Sequence, residues 1–286
     1  MFIQPMLLEK RDKPFTDLRY IFEPKIDGHR LILSKINGEV RLFTRHKNEV
    51  TRLYPELWDV PIAGDVILDG EVACVDPDTG AICFETLMSR FQIKKQDRIR
   101  AAAATRPVSF IVFDILHLNG RDLRQLPLMK RKTILSAALT NTPGIFAINH
   151  FLDDGLPLYE EIVKQKMEGI VAKRKDSRYV GRRSAAWLKI INYTYADVFI
   201  TGYRKNEFGW LVGVQEGGRL RPAGIVELAV SPAHKKAFYG VSGRLKTGED
   251  RNFVYVEPHI KAMVKFRNWT KGGMLRSPEF VGFALD

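Results

Sequence analysis

Covalent and metal cross-links have little to work with in this 286-residue chain, which holds two cysteines and six histidines. No His or Cys cluster has zinc-ligand spacing. Cys74 and Cys83 flank Pro77-Asp78-Thr79-Gly80, a spacing that allows a hairpin disulfide, although two buried reduced thiols are the expectation. No window approaches the ~18 uninterrupted apolar residues of a spanning helix, so no membrane association is expected. The start, Met1-Phe2-Ile3-Gln4-Pro5, lacks the charged stretch and apolar run of a signal peptide, which predicts a cytoplasmic protein. There is no internal repeat and no low-complexity linker. The one biased patch, Ala101 to Ala104, reads as helix or loop rather than tether. Acidic residues are the last shortfall, 33 against 45 Lys and Arg, a net charge of +12. That balance points to a polyanionic partner, nucleic acid first. With 45% apolar and 27% charged residues the chain is not of the disordered class. Its length suits two ordinary domains or one large one.

What is present reads mainly as strands. Leu31-Ile32-Leu33 and Arg41-Leu42-Phe43 flank Asn37-Gly38, the pair suited to a two-residue type I′ hairpin. Val66-Ile67-Leu68, Phe110-Ile111-Val112-Phe113, Ile170-Val171-Ala172 and Trp187-Leu188 are short enough for core strands of an antiparallel sheet. Helical periodicity runs through Leu128, Leu135, Ala138 and Leu139, with Lys130, Arg131 and Lys132 placed on the other side, and again through Tyr159, Ile162, Val163 and Lys166. After Tyr195 the texture turns to glycine-punctuated β segments whose spacing fits a five-stranded barrel of the OB type. The boundary is placed near Asn192 to Asp197. Arg204, Lys205, Arg221 and Lys265 are among the basic residues of that second part, a surface for sugar-phosphate backbone. Phe208 suits stacking on a base or filling the barrel, and Trp210 suits the core.

The segment Glu23-Pro24-Lys25-Ile26-Asp27-Gly28-His29-Arg30 sets a lysine beside a loop-forming Asp-Gly. A lysine attacks phosphorus only as a free amine, which needs desolvation or cationic neighbours; Arg30 and a bound metal would serve. Downstream, in order, come Leu68-Asp69-Gly70-Glu71, Phe113-Asp114, Glu168-Gly169-Ile170-Val171-Ala172-Lys173 and Trp187-Leu188-Lys189. One such motif recurs by chance; five in fixed order are far more specific. On these motifs the chain resembles the covalent nucleotidyltransferase superfamily and, within it, the ATP-dependent DNA ligases, most closely the small bacterial ones. The likeness covers essentially the whole chain, strongly to about Tyr195 and more weakly beyond.

The resemblance implies an α+β fold. Residues 1–193 would form an antiparallel-sheet, ATP-grasp-like nucleotidyltransferase (adenylation) domain, and residues 194–286 a β-barrel OB-fold domain. It implies sealing of 3′-OH/5′-phosphate nicks in duplex DNA through lysyl-AMP and DNA-adenylate, with ATP and Mg²⁺ or Mn²⁺ as cofactors. Lys25 would be the nucleophile and Glu71 the ribose-binding acid, while Arg30 would contact the sugar or phosphates. Phe113 would stack on adenine, and Glu23 would accept from its amino group. Glu168 would be the metal-binding carboxylate, with Asp69 as a second candidate. Lys173 and Lys189 would face the triphosphate, and Arg45, in Phe43-Thr44-Arg45-His46, would grip the 5′-phosphate at the nick.

Two departures stand out. Where relatives carry a second lysine after Lys189 this chain has Ile191, a loss that Lys173 or Arg174 would have to cover. The C-terminal Arg-x-Asp-Lys motif is replaced by Phe283-Ala284-Leu285-Asp286, from which slow charging by free ATP relative to sealing is expected. Nick recognition would come from the two domains closing on the duplex. A monomer is expected, with end-binding or repair proteins as further partners. Three alternatives stay open at this point: an RNA ligase, a GTP-using capping guanylyltransferase, and an inactive nick-binding protein.

Overall fold

Apolar residues recurring every second position leave each strand of the first unit with one side for each of two layers. In the strand Thr16–Pro24, Phe22 turns to one apolar cluster and Ile21 to another, and Glu23 follows Ile21. The computed structural model describes residues 1–76 and 81–284. Pro77-Asp78-Thr79-Gly80 and the final Leu285-Asp286 lie outside the described residues. The chain divides into two units, Met1–Asn192 and Tyr193–Asp286.

In chain order the first unit holds β1 (Leu7–Lys10), β2 (Thr16–Pro24), β3 (His29–Ile36), β4 (Glu39–Thr44), β5 (Val66–Cys74), α1 (Phe84–Phe91), α2 (Gln96–Thr105), β6 (Val108–Leu118) and β7 (Arg121–Asp122). It continues with α3 (Leu128–Ala138), β8 (Ile145–Ala147), β9 (Phe151–Asp154), α4 (Leu156–Lys164), β10 (Gly169–Arg174) and β11 (Arg183–Ile191). One sheet runs β1-β11-β10-β2-β9 and the other β4-β3-β5-β6-β7, with β8 on β6. All pairings are antiparallel except β1 with β11 and β8 with β6. The Asn37-Gly38 turn joins β3 to β4 as expected: Ile36 faces Glu39, and φ is 51° at Asn37 and 78° at Gly38. Ala101 to Ala104 lies in α2.

Three apolar layers hold this unit. Leu31, Leu33, Leu68, Val72, Phe110 and Val112 pack with Leu135 of α3 on one face of the second sheet. Between the sheets lie Met6, Ile21, Ile32, Ile67, Leu116, Leu128 and Trp187. Outside the first sheet, Phe22, Ile170, Ala172 and Ile190 meet Ile162 of α4. Val163, expected on the packed stripe of α4, is instead 44% exposed. A larger correction concerns α3. Arg131 and Lys132, placed on its outer side by the sequence reading, are buried, because acids on neighbouring strands receive them. Cys74 is buried and Cys83 half-buried, both as free thiols.

The second unit holds β12 (Thr194–Arg204), β13 (Trp210–Glu216), β14 (Arg219–Val226), α5 (Pro232–Ser242), β15 (Lys246–Glu249), β16 (Phe253–Val256), β17 (Lys261–Phe266) and β18 (Glu279–Phe283). The long β12 pairs with β13, with β17 along its first half and with β16 at its end. β14 pairs with β13, and just beyond its end a parallel Leu228–Glu279 bridge meets β18, which returns to β17. Five strands thus form a closed circuit, to which the β15–β16 hairpin adds. Trp210, Phe238, Phe266 and Phe280 fill its interior. The Ser231 hydroxyl caps α5 by accepting from the His234 amide, and Pro232 follows it. No helix among the described residues is long and apolar enough to cross a membrane.

Candidate active site

The two sheets of the first unit bring most of the predicted residues to one cleft. β10 centres the first sheet's contribution: Val171 pairs with Glu23 on one side and with Lys189 on the other, and Lys173 pairs with Trp187. Leu8, Glu23, Val171, Lys173 and Trp187 line the cleft from this sheet, and Arg30, Glu71 and Phe113 from the other, with Lys25 and Ile148 from connecting segments. It has about 430 Å³ of empty volume, part of it open to solvent.

Lys25 lies just past the end of β2, where the Lys25 amide donates to the Gly169 carbonyl at 2.8 Å. Its Nζ donates to Glu168 Oε2 at 2.7 Å. Both glycines here are sterically required. A Cβ at Gly169, which has φ of 146°, would fall 2.1 Å from the Ile190 carbonyl, and one at Gly28 would fall 2.2 Å from the Val72 carbonyl. The Asp-Gly after the lysine therefore serves a close approach of backbone to β5.

Arg30 and Asp69 form a two-pronged pair, Nε to Oδ1 at 2.9 Å and Nη2 to Oδ2 at 2.6 Å. The Tyr179 hydroxyl donates to Asp69 as well, at 2.6 Å, and accepts from the Met6 amide at 3.0 Å. Burial, reinforced by the Asp69 charge, pushes the Tyr179 phenol up, so it stays a neutral donor. Asp69 is fully buried, and both its oxygens are engaged by Arg30 and Tyr179. The Arg30 guanidinium in turn lies 5.1 Å from the Phe113 ring centroid.

Glu23 sits at the aromatic end. Its Oε1 accepts from Lys132 Nζ, and Lys173 Nζ lies 2.7 Å from its Oε2. The second contact is ionic, without the alignment of a hydrogen bond. Burial opposes the Glu23 charge, but the two ammonium groups outweigh it and hold the carboxyl below its ordinary value. Lys173 also lies 4.2 Å from the ring centroids of both Phe113 and Trp187. Burial brings its amine down to about 8 against the pull of Glu23. The structure thus sets Lys173 beside two aromatic rings. Lys189 shares a face of the first sheet with Val171 but does not line the cleft, and Ile191, opposite Gly169, is buried. Arg45 is exposed on the turn after β4, where its Nε contacts His46 at 3.3 Å, and it too stands outside the cleft lining.

Glu71 carries the clearest electrostatic signature. Burial raises its carboxyl to about 7; Lys25 and Arg30 pull it down, and Glu168 and Asp69 push it up. A raised acid binds its proton more tightly in the folded than in the unfolded chain, so between the ordinary value of 4.5 and about 7 stability falls as pH rises. Glu71→Gln removes this dependence. The variant's advantage over the parent should grow by on the order of 2–3 kcal/mol from pH 4.5 to 8, as read by urea denaturation at each pH; a constant difference would refute the assignment.

Residues 5–190 match the family model described as the ATP dependent DNA ligase domain. The chain belongs to the ATP-dependent DNA ligase family, enzymes that form phosphodiester bonds. It is 39% identical over 281 residues to the SPbeta prophage-derived DNA ligase-like protein LigB of Bacillus subtilis (strain 168), with 98% of each chain covered. It is 31% identical over 292 residues to the multifunctional non-homologous end joining DNA repair protein LigD of Mycobacterium tuberculosis, where it spans 94% of its own length but 36% of LigD. Among solved structures it resembles mycobacterial DNA ligase D complexed with ATP and MES, at 28% identity and a TM-score of 0.58, over 99% of this chain and 95% of that one.

Proposed function

We propose that this chain seals nicks in duplex DNA, with Lys25 carrying AMP between ATP and the DNA. The observation that supports this most is the Lys25 amine at the meeting point of both sheets, 2.7 Å from Glu168, with Glu71, Arg30 and Phe113 along the same cleft. In the first step the Nζ lone pair attacks the α-phosphorus, a P–N bond forms and the bond to pyrophosphate breaks. The nick 5′-phosphate oxygen then attacks that phosphorus, and the P–N electrons return to Lys25. Finally the 3′-OH attacks the activated 5′-phosphate and AMP leaves. Lys25 must give up Glu168 before its lone pair is available.

In this reading Phe113 supports the adenine face and Glu23 its amino group, Glu71 holds the ribose, and Arg30 reaches sugar or phosphate. Among the described residues no group of three His, Cys, Asp or Glu side chains forms a metal cage. Mg²⁺ needs none, because it keeps its waters and shares phosphate oxygens with one or two carboxylates. Glu168, with Glu71 close enough to feel its charge, fits that role, and Mg²⁺ or Mn²⁺ bound there would neutralise phosphate charge. Lys189 would add phosphate contact and Arg45 would meet the nick 5′-phosphate.

The closed circuit of the second unit, with its helix between the third and fourth strands and a parallel contact between third and fifth, supports reading it as an OB-fold barrel. We assign it to the DNA backbone. Arg204, Lys205, Arg221 and Lys265 are each ion-paired with a glutamate, so their contribution requires exchanging carboxylates for phosphates. Trp210 is core, and Phe208 lies under Lys235, whose Nζ is 3.7 Å from its ring centroid. A monomer acting in the cytoplasm with end-binding or repair proteins completes the proposal.

Intact-mass spectrometry after incubation with ATP and Mg²⁺ tests it. The expected result is a species heavier by one AMP that pyrophosphate discharges, together with sealing of a nicked duplex. No adduct and no sealing would overturn the reading.

A further inference from the structure

We propose that Lys132 is a positioning residue for nucleobase selection: it caps one oxygen of Glu23, so that a single acceptor faces the cleft and favours a purine with an amino group at C6 over a 6-oxo purine. The inference rests on the reading that this cleft takes a purine nucleotide between Phe113 and Glu23.

Lys132 lies on α3, does not line the cleft, and has a side chain only 6% exposed. Its one ammonium donates to Glu23 Oε1. Its helical neighbour Arg131 is locked to Asp114, so the anchor is rigid. Lys173 is held differently. It meets Glu23 Oε2 without hydrogen-bond alignment, and its ammonium lies 4.2 Å from the Phe113 ring centroid, in space that a base stacked on that ring would need. Base entry therefore displaces Lys173 and uncovers Oε2, while Lys132 keeps Oε1.

The chemistry of selection follows from which oxygens are open. A carboxylate with both oxygens free is a fork that accepts N1–H and the 2-amino group of guanine together. With Oε1 engaged by Lys132, Oε2 is the oxygen that Lys173's departure leaves with no protein partner. It matches the single 6-amino donor of adenine, whereas a 6-oxo group would set lone pairs against a buried carboxylate. Lys132 also keeps that carboxylate compensated once Lys173 has left, since an uncompensated buried charge would resist the exchange.

Equilibrium binding of ATP, GTP and ITP to Lys25→Ala protein, which cannot trap AMP covalently, reads this directly by calorimetry. The Lys25→Ala protein should prefer ATP. Adding Lys132→Met should cut the ATP-to-GTP preference about tenfold, with GTP gaining more than ITP because ITP lacks the second donor; Lys132→Arg should retain the preference. Equal weakening of all three nucleotides by Lys132→Met, or an unchanged ratio, would overturn the proposal. If Lys132→Met does not fold, Glu23→Gln takes its place, since an amide leaves no buried charge to compensate and can turn a donor toward a 6-oxo group. Its preference should collapse, and a retained preference would be equally decisive against the idea. Absence of the AMP adduct on the unaltered protein would instead sink the Lys25 chemistry and leave these ratios to judge base selection. Failure of all three nucleotides to bind would remove both.

Discussion

Lys25→Ala ends uptake of AMP and lowers sealing of an ordinary nick by at least ~10⁴-fold, the scale of a lost covalent nucleophile. The expectation follows from position rather than from amine chemistry in general. The chain has 45 lysines and arginines, yet among the cleft-lining residues only Lys25 and Lys173 offer a primary amine, and Lys173 lies at the aromatic end of the cleft, beside Glu23, Phe113 and Trp187. The lesion should also be selective by step. A nick supplied already carrying AMP on its 5′-phosphate needs no new P–N bond, so the variant should seal that substrate far better than the ordinary one. Gel assays on the two substrates check this. Equal loss on both would mean that Lys25 holds DNA or the cleft's shape rather than AMP.

The order of the cleft residues along the chain was legible because the chemistry sits at strand ends and on alternating strand positions. The period of two carries Glu23 and Lys25 at the end of β2, and Val171 and Lys173 in β10, to the same side. The Asn-Gly turn set the β3–β4 register in the same way. Pairing between charged groups was not legible. Nothing local says that Arg30 and Tyr179 converge on Asp69 from 39 and 110 residues away. The aromatic neighbours of Lys173 come from β6 and β11, which no local pattern announces. Lys132 was missed for a different reason. Leu128, Arg131, Lys132 and Leu135 follow the i, i+3, i+4, i+7 spacing of one helix face, so the pattern itself pointed inward; reading charge as exposure turned two of the four outward. A basic pair at packed positions of an amphipathic helix is a signal to look for buried acids elsewhere.

Arg131→Met should be among the most destabilising single substitutions in the first unit, by about 3–5 kcal/mol, as expected when one partner of a buried ion pair is removed. Both members are fully buried. Arg131 Nε and Nη2 each donate to Asp114 at 2.8 Å, and Nη1 donates to the Ser177 carbonyl at 2.9 Å. The guanidinium thereby ties α3 to β6 and to the segment between β10 and β11. Methionine fills much of the volume but leaves the buried Asp114 carboxylate without its guanidinium, while the Ile115 amide at 2.9 Å still donates to it. Arg131→Lys should recover little, since a single ammonium cannot reproduce the fork and the carbonyl contact together. The double variant Arg131→Met/Asp114→Leu should regain at least half of the loss, because it removes the stranded charge. Urea midpoints for the three proteins measure the effect; a double variant no better than Arg131→Met would show that packing, not the charge, carries the cost. Where Arg131→Met stays folded, α3 loses the tether beside Lys132, so ATP affinity and the preference over GTP should fall together.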